Sequence, residues 1–205
     1  MQYTLRKKLR EYRAIILDMD GTLYYQFPLR VCMAAELTAY YLTHIRRIGE
    51  LSLLRNVRKS REAGILTAID PVFAYWLEEK PLRYLYLFRD RKLLSFIQTL
   101  RERGAKTAVY SDYPAERKLR AFRGFTADYC FCADDALIRC LKPESSGLKT
   151  IAGVLGETAE DIAFIGDRYE KDGKCAEAAG IDYLILDGNP ISRRKGYSNS
   201  IFQLD

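Results

Sequence analysis

Two carboxylates one residue apart stand in Asp18-Met19-Asp20-Gly21-Thr22-Leu23, directly after the apolar run AIIL. Like charges at that spacing repel unless a cation joins them or their surroundings split their acidities. Such a pair can divide the work of a reaction, one carboxylate attacking as a nucleophile while the other moves protons. The same residues also suit a polar turn that merely ends a strand. A calcium loop fits less well, because the third Asp or Asn and the later Glu of that pattern are missing.

Three more groups are spaced along the chain in a comparable setting. Ser111 closes TAVYS and is followed by Asp112; Lys142 stands in CLKPE just before a helical pattern; Gly166-Asp167 closes IAFIG, with Asp172 shortly after. Each has an ordinary role open to it: Ser111 as a turn residue, Lys142 as a surface lysine, Asp167 as a helix cap. Taken together, carboxylates, a hydroxyl and an amine all fall at ends or crossings on one side of a sheet.

The elements that must position them are legible as alternating patterns. Five short apolar runs, 14–18, 107–111, 128–132, 162–166 and 183–187, read as strands covered on both faces. Helical periodicity follows in 91–104, in the segment opened by Pro114 and closed by Gly124, in 146–156 and in 174–180. Strand and helix in alternation predict a doubly wound α/β sheet with right-handed crossovers. Ligands of such sheets bind beyond the carboxyl ends of the strands, where the singled-out residues fall. Between Tyr24 and Asp90 the rhythm breaks: 31–49 and 51–64 are helical, with Gly49 and Gly64 as stops, and 72–88 is aromatic-rich and broken by Pro81. This interval is expected to be a helical insertion with its own small core, and the tail after Asp187 to be a loop.

Composition narrows the classes. With 48% hydrophobic and 12% aromatic residues, the 205-residue chain is expected to fold as one core plus a modest insertion. It has no apolar run long enough for a transmembrane helix, and its N-terminus lacks the apolar stretch of a secretory signal. The net charge of +6 favours anionic partners without naming them. The densest basic stretch, Arg6 to Arg13, is expected to be a solvated helix or tail rather than a nucleic-acid or lipid contact. The odd, scattered set of five cysteines argues against a disulfide framework and suits a reduced, cytoplasmic protein. Cys130 and Cys132 should share one strand face as a buried pair of thiols.

With those residues in order, the sequence resembles the haloacid dehalogenase-like superfamily, specifically its phosphatase branch. DMDGTL is similar to the family's first motif, Ser111 to its second, Lys142 to its third and GDRYEKD (166–172) to its fourth; the resemblance runs from Ala14 to Asp187. It implies a Rossmann-like core over 1–23 and 89–205, with 24–88 as a helical, type 1 cap. About ten residues separate Cys132 from Lys142, too few for the family's other cap position. The resemblance further implies a Mg²⁺-dependent phosphatase in which Asp18 is the nucleophile and Asp20 the general acid and base. Mg²⁺ would be held by Asp18, the Asp20 carbonyl and Asp167. The phosphoryl group would meet Ser111, Lys142 and the backbone around Asp112, with Thr22 and Asp172 supporting. Asp112 departs from the Asn often found there, and its negative side chain is expected to point away from phosphate. This chemistry needs Asp20 partly protonated while Asp18 stays ionised.

The substrate expected is a small phosphorylated metabolite, a sugar or other polyol phosphate, chosen by the cap; the oligomeric state is open. A phosphomutase would use the same residues, and a dehalogenase would need neither Asp20 nor a metal. A non-catalytic phosphate- or nucleic-acid-binding protein would not need Asp18, Asp20, Lys142 and Asp167 together.

Overall fold

In the computed structural model, which describes residues 1–204, the five apolar runs pair as neighbouring strands. Preceded by a short N-terminal strand, they are β1 (Gln2–Tyr3), β2 (Ala14–Leu17), β3 (Lys106–Ser111), β4 (Tyr129–Cys132), β5 (Ile162–Gly166) and β6 (Asp182–Ile185). The sheet order is β1-β6-β5-β2-β3-β4, parallel throughout except for β1 against β6. Leu17 lies beside Val109 of β3 and Ile165 of β5. Chain order reverses on either side of β2, so the crevice of the fold opens at its carboxyl end.

Nine α-helices are present among the described residues: α1 (Gln26–Thr43), α2 (Glu50–Glu62), α3 (Pro71–Phe73), α4 (Leu82–Phe88), α5 (Arg91–Glu102), α6 (Glu116–Ala121), α7 (Ser146–Leu155), α8 (Lys174–Ala179) and α9 (Pro190–Gly196), of which α5 to α9 belong to the sheet domain. Alternation along β2 sends Ile15 and Leu17 to one face and Ala14 and Ile16 to the other. The first pair packs with Leu93, Ile97 and Leu100 of α5. The second packs with Leu148 and Ile151 of α7 and Cys175 of α8. Truncating Ile15 or Ile16 to alanine would cost about 2–5 kcal/mol, since neither site has room to collapse. The doubly wound α/β core is therefore present as its alternating patterns predict.

Several expectations need correction. The N-terminal basic stretch is docked rather than a free tail: Leu9 and Tyr12 are buried, Arg6 pairs with Asp182 at 2.9 Å and Lys7 with Asp161 at 2.9 Å, while the Arg6 and Arg13 side chains stay exposed. The segment after Asp187 is not a loop, since Asn189 caps α9 by accepting from the Ile191 and Ser192 amides. Pro114 precedes its helix rather than opening it, as α6 begins at Glu116. Gly49 is the N-cap of α2, not the stop of α1, which ends at Thr43. Cys130 and Cys132 are only half-buried, because β4 is an edge strand; all five thiols are free.

Residues 26–88 hold α1 to α4 and, as the sequence suggests, no paired strand beyond one isolated bridge, Tyr24 to Arg89. That bridge brings the two crossings together, with the Tyr25 amide donating to Phe88 O at 2.9 Å and the Asp90 amide to Leu23 O at 2.9 Å. Tyr40 and Tyr41 pack on Trp76 with ring centroids 5.1 and 6.3 Å apart, an aromatic core internal to this segment. Among the described residues no helix is long and apolar enough to cross a membrane.

Candidate active site

In-register strands deliver the singled-out residues to one place. Asp18 directly follows β2 and its amide donates to Ile165 O at 2.8 Å, so its carboxyl emerges between the ends of β3 and β5. It is only 6% exposed. One of its oxygens accepts from Thr22 Oγ1 at 3.0 Å, the other from Lys142 Nζ at 2.5 Å. Lys142 also donates to Asp172 Oδ1 at 2.7 Å. Asp172 Oδ2 accepts from the amides of Asp167 and Arg168 at 3.2 and 3.0 Å, which ties the fourth motif to the third.

Burial and neighbouring charge together set the titration of this group. Burial pushes the Asp18 carboxyl well above the usual carboxylate range; Lys142 opposes the rise, and Asp172 and Asp167 add to it. Burial alone would lower the Lys142 pKa, but Asp172, Asp18 and Asp112 outweigh it and keep the ammonium charged. Asp167 is raised to about 6, first by burial and then by Asp172.

Two glycines make the approach possible. Gly21 adopts φ +101°, and a Cβ on it would lie 2.1 Å from Asp167 Oδ2. A Cβ on Gly166 would lie 2.4 Å from Cβ of Asp172. Any side chain at either position would push the acidic cluster apart.

The donor set fits a divalent cation. Asp18, Asp167 and Asp172 can each present an oxygen with all three within 4.8 Å of one another. Asp167 Oδ1 is buried without a hydrogen-bond partner. Lys142 pairs with Asp18 and Asp172 but not with Asp167, and all the donors are oxygen, the chemistry of Mg²⁺ rather than of a thiolate-loving metal. The Asp20 side chain lies outside this carboxylate group.

Asp20 instead points to a set of residues absent from the sequence reading. Its carboxylate accepts from Lys118 Nζ at 3.0 and 3.1 Å and from the Tyr24 hydroxyl at 2.5 Å. Lys118 is buried and also pairs with Glu78 at 3.1 Å. Burial would raise the Asp20 pKa, but Lys118 and the Tyr24 hydrogen bond overcome it, so the carboxyl is held below the usual range. Among these side chains alone, then, burial favours the proton on Asp18 while Lys118 favours the charge on Asp20. One signal for Lys118 was available: in AERKLRAF it stands three residues after Ala115 and four before Phe122, both buried, on the inward side of its helix.

The remaining candidates divide. Ser111 is buried at the end of β3, its Oγ accepting from the Tyr113 amide at 3.1 Å. The Asp112 side chain accepts from the Lys142 amide at 2.9 Å and from Lys171 Nζ at 3.0 Å. Its carboxylate is thus engaged by Lys142 and Lys171, which leaves the backbone around Asp112 as the part proposed to meet a phosphoryl group. Arg61 of α2, 1% exposed, donates to the Asp112 carbonyl at 2.6 Å and to Asp134 at 2.6 Å.

A cavity of about 180 Å³ opens over Asp18, Asp20 and Ser111. Leu29, Met33, Phe73 and Leu77 line it from the helical segment. Phe73 stacks on Tyr113 at 5.7 Å, so it belongs to the cavity wall rather than to the aromatic cluster around Trp76.

Comparisons with known proteins bear on the family and the fold. The family model described as "Hydrolase: haloacid dehalogenase-like hydrolase" matches residues 12–180. No curated protein matches the sequence significantly. Among solved structures, a HAD phosphatase from Thermococcus onnurineus is similar with TM-score 0.64 and 21% identity, over 87% of each chain. A HAD family hydrolase from Deinococcus radiodurans with bound phosphate and sodium has TM-score 0.58 and 20% identity, over 88% of this chain and 84% of that one. A HAD-hydrolase from Bacillus subtilis bound to magnesium has TM-score 0.60 and 17% identity, over 86% and 89%. At these identities the likeness is one of fold.

Proposed function

The chain belongs to the haloacid dehalogenase-like hydrolases, and we propose that within them it is a Mg²⁺-dependent phosphatase acting on a small phosphorylated metabolite. The observation that carries this reading is the buried trio Lys142, Asp18 and Asp172 beside the unpartnered Asp167 oxygen. Lys142 with a divalent cation would supply the positive charge that a phosphoryl group needs next to a carboxylate nucleophile.

Asp18 attacks phosphorus, the bond from phosphorus to the ester oxygen breaks, and Asp20 gives a proton to the departing alcohol. Water then attacks the aspartyl-phosphate, Asp20 takes the water's proton, and orthophosphate leaves with Asp18 restored. Asp18 and Asp167, with Asp172 close by and the Asp20 carbonyl, would hold the Mg²⁺. When bound, the ion stabilises charge on the phosphoryl oxygens and keeps Asp18 ionised despite its burial. Lys118 holds Asp20 as an anion in the resting protein; a phosphate dianion entering beside Asp20 would oppose Lys118 and raise its proton affinity, so that Asp20 takes up a proton from solvent water before donating it to the alcohol. The Ser111 hydroxyl and Lys142 would contact phosphoryl oxygens, and Thr22 steadies Asp18.

Residues 24–88 act as a cap in this reading. Their side chains form the far wall of the cavity, so choice among alcohols falls to them while the core supplies the chemistry. The test is a panel of phosphorylated metabolites and p-nitrophenyl phosphate, assayed with Mg²⁺ and with excess EDTA. Turnover that requires Mg²⁺ is expected; full activity in EDTA, or none on any phosphomonoester, contradicts the reading.

A further inference from the structure

The carbonyls of Gly21 and Thr22 end the loop that carries Asp18 and Asp20, and one side chain from the other end of the chain takes up both. Arg193 of α9 is 1% exposed and donates from Nη2 to Gly21 O at 2.6 Å, from Nη1 to Thr22 O at 3.0 Å and from Nε to Asp187 O at 2.6 Å. Its charge is balanced by buried Asp90, 3.6 Å away. Asp90 accepts from the Tyr197 hydroxyl at 2.6 Å and from the Leu93 amide at 3.3 Å, and its own amide donates to Leu23 O at 2.9 Å. The guanidinium also lies over the Tyr25 ring, 5.2 Å from its centroid. Arg193 thus contacts the nucleophile loop and, through Asp90 and Tyr25, both crossings into the helical segment.

A buried guanidinium is costly unless its donors are met. Here three carbonyls and a carboxylate meet them in the fixed fork that only arginine offers; a lysine ammonium could reach one or two of those oxygens. The peptide it grips is the one whose Gly21 faces Asp167 at less than side-chain distance. A small shift of that peptide therefore alters the spacing of Asp18, Asp20 and Asp167 together. We propose that Arg193 is a positioning residue for the Asp18–Thr22 loop, and that α9, beyond the residues matched by the family model, is a working part of the active site. The kinetic side of this inference rests on the phosphatase reading; the structural side does not.

The test compares Arg193→Lys and Arg193→Met with the wild-type chain in p-nitrophenyl phosphate kinetics and in hydrogen–deuterium exchange. A loop misplaced by about 1 Å predicts a kcat loss of about 10–100-fold in Arg193→Lys and more in Arg193→Met, with KM changed by no more than about two-fold. Exchange should quicken in residues 18–23 while α7 and α8 keep their wild-type protection. A kcat within about two-fold of wild type in both variants overturns the inference. So does a loss accompanied by faster exchange across the whole sheet, which marks a merely structural arginine. If Arg193→Met does not fold, Arg193→Lys decides. If the wild-type chain hydrolyses no phosphomonoester, the phosphatase reading fails and the exchange pattern alone decides this inference: localised loosening supports it, and no loosening at 18–23 overturns it.

Discussion

At the carboxyl edge of the sheet, every residue of β2 and β5 is buried, and Asp18, Ser111 and Asp167 leave strands locked in register on both sides. Across the cavity the helical segment is built more loosely. Of the 18 residues of α1 only Leu29, Met33 and Tyr41 are buried, and of the 13 in α2 only Leu54 and Arg61. It meets the core through paired crossings, polar links such as Arg61 to Asp112 and Glu78 to Lys118, and apolar contact that includes Phe73 on Tyr113. Groups that must keep sub-ångström relations sit on the rigid side; groups that must fit one ligand among many sit on the side that can be altered cheaply.

The sharpest way to break this comparison is to remove the chemistry without disturbing the scaffold. Asp18→Asn is expected to lower kcat by about 10⁴-fold or more, because an amide cannot accept a phosphoryl group. Its melting temperature should hold or rise, since one of three crowded acids loses its charge. An active, folded Asp18→Asn protein would separate the strand edge from the reaction.

Asp20→Asn should cost about 10²–10⁴-fold on an alkyl phosphate and clearly less on an aryl phosphate, whose leaving group needs less protonation. Equal losses on both would take Asp20 out of the acid role. A smaller effect is expected from the helical side. Replacing residues 30–88 by a short linker should leave aryl phosphate hydrolysis measurable while preference among metabolites shrinks by about ten-fold. Unchanged preference in a folded product would assign selection to the core.

The smallest effect concerns stability. Asp167 has a folded-state pKa raised from 3.8 to about 6 by burial and by Asp172. The folded protein therefore holds this proton more tightly than the unfolded chain, so stability is present at low pH and falls as pH rises from about 4 through 6. A cation that shares the charge of Asp167 relieves that cost. Mg²⁺ should then raise the melting temperature by a few degrees at pH 7 and by much less at pH 4.5, as calorimetry would read. An Mg²⁺ shift independent of pH would remove Asp167 from the metal site.

The sequence made the rigid half legible for a physical reason. Strands buried on both faces are written as unbroken apolar runs, and the polar residues ending them stand out, so Asp18, Ser111 and Asp167 were visible at once. The two chain termini were not. The stretch Arg6 to Arg13 and the tail after Asp187 read as peripheral because local patterning does not reveal that Asp182 and Asp90 meet Arg6 and Arg193 across the fold. Lys118 was obscured in the same way, one cation among Arg117, Arg120 and Arg123, although its neighbours Ala115 and Phe122 marked it as inward. Without it, the pairing that lowers the Asp20 pKa in the resting protein goes unseen.

The central claim is that Asp18 itself carries the phosphoryl group. Quenching the wild-type protein during steady turnover and reducing it with borohydride converts an aspartyl-phosphate to homoserine, which peptide mass spectrometry can locate. The account predicts homoserine at position 18 and nowhere else, lost when substrate is omitted and in Asp18→Asn. Steady turnover with Asp18 unmodified, or with the label on another residue, would contradict it.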